Sequence, residues 1–126
     1  MPDSSYVVAV IDDSDVVREA VAALLAAHEY EVELYESAEE FLGAVAETKA
    51  NCLLVDVQLG GICGIEFGRG LAKAGFRFPI IFMTASTDES LRGRAMQCGC
   101  VAFLTKPFPP PALTEALCAA RRRSTL

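Results

Sequence analysis

The chain of 126 residues has no tryptophan, one histidine and no Cys-x-x-Cys pair. The lone histidine, His28, sits at the end of a helical pattern, so the chain lacks a Ser/His/Asp nucleophile set, and His28 reads as a helix-end residue and not a phosphodonor. The cysteines are five, an odd number (Cys52, Cys63, Cys98, Cys100, Cys118). The closest pair, Cys98-x-Cys100, has neither the spacing nor the second pair of a zinc site, so free thiols in a reducing compartment are expected. Positive charge is scarce: 11 Lys and Arg against 17 Asp and Glu leave a net charge of −6, which excludes a domain-wide basic footprint for nucleic acid. No apolar run approaches the roughly 18–20 residues of a membrane span. Met1-Pro2-Asp3-Ser4-Ser5 has neither the positive nor the apolar stretch of a signal peptide, so a cytoplasmic location is expected.

Apolar residues are plentiful at 52%, and the length suits one domain over residues 1–126. The apolar residues fall into short unbroken runs: Val7–Ile11, Cys52–Val55, Ile80–Met83 and Val101–Leu104. Such runs read as strands covered on both faces. Glu31–Tyr35 alternates polar and apolar, as an edge strand does.

Helical patterns lie between the runs. Val17, Val21, Leu24 and Leu25 follow Ser14, a candidate N-cap. Ser37-Ala38-Glu39-Glu40 is a capping-box sequence before Phe41, Leu42 and Val45. Phe67, Leu71 and Ala74 mark a third helix, expected to be weak because Gly68 and Gly70 interrupt it. A fourth is expected from Ser86 or Thr87, carrying Leu91, Ala95 and Cys98. A fifth follows Pro109-Pro110-Pro111, with Leu113, Ala116, Leu117 and Ala120 inward and Arg121-Arg122-Arg123 complementing its dipole. Five strand–helix repeats predict an α/β fold with a doubly wound parallel sheet.

Polar residues then stand out by position. Asp12 and Asp13 follow the first strand, Asp56 closes the third, Thr84 closes the fourth and Lys106 lies just past the fifth. In an open α/β sheet the carboxyl ends of the strands are where ligands bind. Three converging carboxylates repel one another unless a cation joins them, and an all-oxygen set suits Mg²⁺. A lysine and a hydroxyl beside them supply what phosphoryl chemistry needs, and the nucleophile left to the chain is a carboxylate.

This ordered set resembles the receiver domain of two-component response regulators over Val7 to about Ala120: an acidic pair, a lone Asp, Thr84-Ala85, Phe103 and Lys106-Pro107-Phe108. Phe78-Pro79-Ile80-Ile81-Phe82-Met83-Thr84-Ala85 and Ser37-Ala38-Glu39-Glu40-Phe41-Leu42 are most similar to the FixJ-like subgroup. The resemblance implies a single (βα)5 flavodoxin-like fold with strand order 2-1-3-4-5. It also implies a phosphorylation-controlled switch, in which a sensor histidine kinase or phosphotransfer protein supplies the phosphoryl group to Asp56. Mg²⁺, or Mn²⁺ in its place, would be held by Asp12, Asp13, Asp56 and the backbone carbonyl of Gln58. Thr84 and Lys106 would bind phosphoryl oxygens, Phe103 would be the switch aromatic, and the bond before Pro107 would be cis. Gln58 and Ser86 would tune autodephosphorylation. The fourth helix, fifth strand and fifth helix would form the moving face, which controls a partner, a second copy or a DNA-binding output domain, with residues 121–126 as the start of a linker. No metabolite turnover, direct nucleic-acid binding or membrane contact is implied.

Other readings fit less well. A haloacid-dehalogenase-type phosphatase wants a second Asp where Gln58 stands, and a flavin-binding module wants a hydroxyl-rich phosphate loop where Asp12-Asp13 stand. A degenerate receiver is at odds with the complete acidic, Thr and Lys set. The chain departs from the family in Leu59-Gly60-Gly61-Ile62-Cys63-Gly64, where Gly60 replaces the usual proline; a more mobile loop and third helix are expected there.

Overall fold

The computed structural model describes residues 6–124. Met1–Ser5, the segment that lacks signal-peptide features, and Thr125 and Leu126 of the expected linker start lie outside the described residues. The strands are β1 (Val7–Ile11), β2 (Glu31–Tyr35), β3 (Cys52–Asp56), β4 (Ile80–Thr84) and β5 (Ala102–Thr105). They form one parallel sheet in the order β2-β1-β3-β4-β5. The helices are α1 (Asp15–Ala27), α2 (Ala38–Ala44), α3 (Gly64–Lys73), α4 (Glu89–Gln97) and α5 (Pro110–Ser124). No described helix is long and apolar enough to cross a membrane.

The unbroken apolar strands are buried because helices cover both faces, and the two-residue period of a strand divides them between two cores. Ala9, Ile11, Leu53 and Val55 pack with Phe41, Ile65, Phe67 and Ala95 of α2, α3 and α4. Val8, Val10, Cys52 and Leu54 pack with Val21 and Leu25 of α1 and Leu113 and Leu117 of α5. Desolvation in this second core pushes the Cys52 thiol up to about 12, so it behaves as an apolar side chain.

The starts of α1 and α2 follow side-chain capping, whereas α3 begins after Cys63 with no side-chain cap. Ser14 Oγ accepts from Val17 N–H, and Ser37 Oγ from Glu40 N–H. The Glu40 carboxylate reaches back one residue further than a capping box requires, to the N–H of Glu36. The fourth helix begins later than expected. Ser86 N–H donates to Thr84 Oγ1, Asp88 N–H to Ser86 Oγ, and Ser90 N–H to Asp88 Oδ1. This ladder satisfies the backbone locally and defers the N-cap to Asp88. β5 likewise starts one residue later than the apolar run.

Two of the three glycines of α3 have packing reasons, and Gly70, with nothing within 4 Å, has none. A Cβ on Gly64 would stand 2.2 Å from the Asp56 carbonyl oxygen, and one on Gly68 3.1 Å from Ile80 Cδ1 and 3.3 Å from Phe82 Cζ. Small residues at these positions let α3 approach β3 and β4. At the far end, Arg121 of α5 lies over Tyr6 and Tyr30, and residues 121–124 continue the helix.

Candidate functional site

The order of strands reverses at β1, which has β2 on one side and β3 on the other. The crevice this leaves at the carboxyl ends of β1 and β3 is where the acidic residues collect. Asp12 is fully buried, Asp56 nearly so (5% exposed), and Asp13 is open to solvent. One carboxylate oxygen from each lies within 4.8 Å of the others.

Each group is aimed by its neighbours. Asp12 N–H donates to the Tyr35 carbonyl, and its Oδ1 accepts from Ser14 N–H. Asp56 Oδ1 accepts from Gln58 N–H at 3.0 Å. Lys106 comes from the other side of the sheet: its N–H donates to the Thr84 carbonyl, and its ammonium reaches Asp12 Oδ2 at 2.8 Å and Asp56 Oδ2 at 3.2 Å. Thr84 is fully buried at the end of β4, opposite Thr105. The Lys106–Pro107 peptide is cis.

Electrostatics follow from this crowding. Burial first, and then the charge of Asp12, raise the Asp56 carboxyl above its ordinary range, against the opposing pull of Gln58 N–H and Lys106. Burial works against the Lys106 ammonium, but its hydrogen bond to Asp12 and the two carboxylate charges outweigh it and raise its pKa. One ammonium does not neutralise three carboxylates. The donor set is all oxygen and partly open at Asp13, which fits a hard divalent cation and leaves room for water or phosphate oxygens.

Asp12, Asp13, Asp56 and Lys106 thus share one crevice, with Gln58 entering through its backbone; Thr84 lies buried at the end of the neighbouring β4, its carbonyl bonded by Lys106 N–H and its Oγ1 by Ser86 N–H. His28 is elsewhere, capping the distant end of α1 on the Leu24 carbonyl. Phe103 faces the α2–α4 core and is already 8% exposed, with the Arg92 guanidinium 5.0 Å from its ring centroid. Two contacts have no sequence signal. One is Arg92 over Phe103; the other is Arg18, which donates from α1 to the Asp12 carbonyl at 2.6 Å. Only the fold brings either pair together.

The family model "Response regulator receiver domain" matches residues 8–118, and the chain belongs to that family. Its relatives place it among FixJ-like receivers of two-component systems. It is 39% identical over 124 residues to the transcriptional regulatory protein FixJ of Azorhizobium caulinodans, covering 98% of this chain and 58% of that one. It is 34% identical over 120 residues to the response regulator protein TodT of Pseudomonas putida, covering 95% and 53%. The crystal structure of full-length FixJ from B. japonicum superposes with a TM-score of 0.89 at 33% identity, over 97% of this chain and 60% of that one. The chain therefore spans about half the length of the curated relatives it matches.

Proposed function

We propose that this receiver is a phosphorylation-controlled switch whose phosphoacceptor is Asp56. The observation that carries the reading is the convergence of Asp12, Asp13, Asp56 and Lys106 on one crevice with a buried Thr84 beside it. The donor is a phosphohistidine on a sensor histidine kinase or phosphotransfer protein. A carboxylate oxygen of Asp56 attacks phosphorus, the P–N bond breaks, and imidazole leaves with the electron pair. Water later attacks the acyl-phosphate, releasing phosphate and restoring the carboxylate.

Asp13, Asp12, Asp56 and the Gln58 carbonyl would hold Mg²⁺, with Mn²⁺ as a substitute. Such an ion would supply positive charge that offsets the repulsion between the acceptor and phosphoryl oxygens. Asp12 also anchors Lys106, which is in reach of the acceptor carboxylate and pairs with a phosphoryl oxygen once Asp56 is modified. Thr84 donates its hydroxyl to another. Gln58 and Ser86, whose N–H groups bond Asp56 Oδ1 and Thr84 Oγ1, set how easily water reaches the acyl-phosphate.

The new charge biases a two-state surface. Thr84 is tied through Ser86 and Asp88 to the start of α4, and Phe103 lies under Arg92 of the same helix. Phosphorylation locks the inward Phe103 ring and the α4–β5–α5 face, which then controls a second copy or a DNA-binding output domain joined through residues 121–126. The receiver, residues 1–126, itself contacts neither nucleic acid nor membrane, works in the cytoplasm and turns over no metabolite.

Phosphoramidate carries the P–N bond of a phosphohistidine and tests this directly. Amide spectra with Mg²⁺ should change at Thr84, Ser86, Phe103 and along α4, and Asp56→Asn should abolish the change. Changes that persist in Asp56→Asn would contradict the assignment.

A further inference from the structure

The opposite end of the sheet, at the amino ends of β3 and β4, holds a cleft of about 870 Å³. Its volume falls within the roughly 300–1,000 Å³ of small-molecule sites. Its charge runs against the rest of the molecule. In a chain of net charge −6, Arg69, Lys73, Arg77 and Arg123 line the cleft, and among the described residues no carboxylate does. Arg69 and Lys73 are four apart on α3, and so lie on one face of it. Arg77 follows in the connection to β4.

Arg123 is held at the rim by its bond to the Gly99 carbonyl, 3.2 Å. Arg69, Lys73 and Arg77 have no ion-pair partner among the described residues, and Glu66, the acid of α3, is taken by Arg94 at 3.0 Å. Unpaired cations that line one cleft repel one another, and an anion between them relieves the repulsion.

The same cleft presents an aromatic ring. Phe76 is 37% exposed and lies 12° from parallel to Phe78, whose ring packs on the buried Phe41 at 5.7 Å. Phe76 is thus an exposed apolar face on a rigid support, beside guanidinium groups suited to phosphate oxygens. We propose that this cleft binds a phosphate-bearing aromatic ligand of nucleotide size, the phosphates on Arg69, Lys73 and Arg77 and the ring against Phe76. The proposal is independent of the chemistry at Asp56.

Adenosine triphosphate is the probe, titrated in EDTA so that metal at the acidic crevice plays no part. Amide shifts should saturate at residues 69–78 and 98–100 and leave Asp56 and Thr84 unchanged. Calorimetry on the double variant Arg69→Ala/Arg77→Ala should show affinity weakened by about tenfold or more. Phe76→Ala should weaken the nucleotide by about fivefold and leave inorganic tripolyphosphate unchanged. All of these side chains are exposed, and far-ultraviolet dichroism checks that the variants remain folded. The proposal fails if nothing saturates by about 5 mM or if the shifts map to the acidic crevice. It fails also if tripolyphosphate binds as well as the nucleotide irrespective of Phe76, or if an acidic peptide binds there and the nucleotide does not.

Discussion

At the scale of single residues, the crevice is a place where charge is held at a cost. Asp56 is buried beside Asp12, and one lysine serves both. Because the folded-state pKa of Asp56 lies above the ordinary 3.8, the folded protein binds its proton more tightly than the unfolded chain does. The destabilising contribution of the carboxylate therefore grows as pH rises through the folded pKa and vanishes below the unfolded one. In EDTA at pH 7, Asp56→Asn is expected to melt on the order of a few degrees above the native chain, the gap closing toward pH 3. A variant that melts lower at pH 7 would mean that the Lys106 pair outweighs the burial and repulsion. The residues of the crevice were legible in the sequence because they stand at or just past the ends of apolar strands: Asp12, Asp56 and Thr84 are polar where burial leads one to expect valine. Arg18 and Arg92 were not legible, since each reaches its partner only after α1 and α4 pack on the sheet.

At the scale of elements, glycine and capping decide how the site is held. The third helix reads as weak from its glycines, yet Gly64 is required by the approach of α3 to the Asp56 carbonyl. Gly64→Ala should cost about 1–3 kcal/mol in urea unfolding. Gly43→Ala, at a position of α2 with nothing within 4 Å, should be neutral or stabilising by up to about 1 kcal/mol. Equal effects would remove the packing argument. Helix propensity alone treats the two glycines alike; only the tertiary contact separates them. The delayed start of α4 has the same kind of cause, since three successive side-chain turns compete with the helix for its first donors.

The edge strand β2 depends on Glu33, whose carboxylate accepts from Tyr35 Oη, Thr48 Oγ1 and Lys49 N–H and so ties β2 to the connection after α2. Burial works against this carboxylate, but the bonds from Thr48, Tyr35 and Lys49 outweigh it and hold its pKa below the ordinary 4.5. Its stabilisation is present above 4.5 and is lost as pH falls through the folded value. Glu33→Gln should therefore cost about 1 kcal/mol at pH 7 and nearly nothing at pH 3, by urea midpoint. A pH-independent difference would contradict the role of its charge.

At the scale of the molecule, strict strand–helix alternation and two buried faces carried the fold, and the β2-β1-β3-β4-β5 order follows the family resemblance. The sheet brings together residues as distant in sequence as Asp12 and Lys106, 94 positions apart, so the site exists only as a property of the folded whole. The basic cleft at the other end escaped the sequence, because net charge averages away a local cluster in an acidic chain. The central claim is that these strand ends form a metal-dependent phosphoacceptor at Asp56. Intact-mass spectrometry after incubation with acetyl phosphate, with and without Mg²⁺, on the native chain and on Asp56→Asn, tests it most directly. A single phosphoryl adduct that requires both Mg²⁺ and Asp56 is the expected result. An adduct without the metal, an adduct on Asp56→Asn, or no adduct on folded protein with excess Mg²⁺ would contradict the claim.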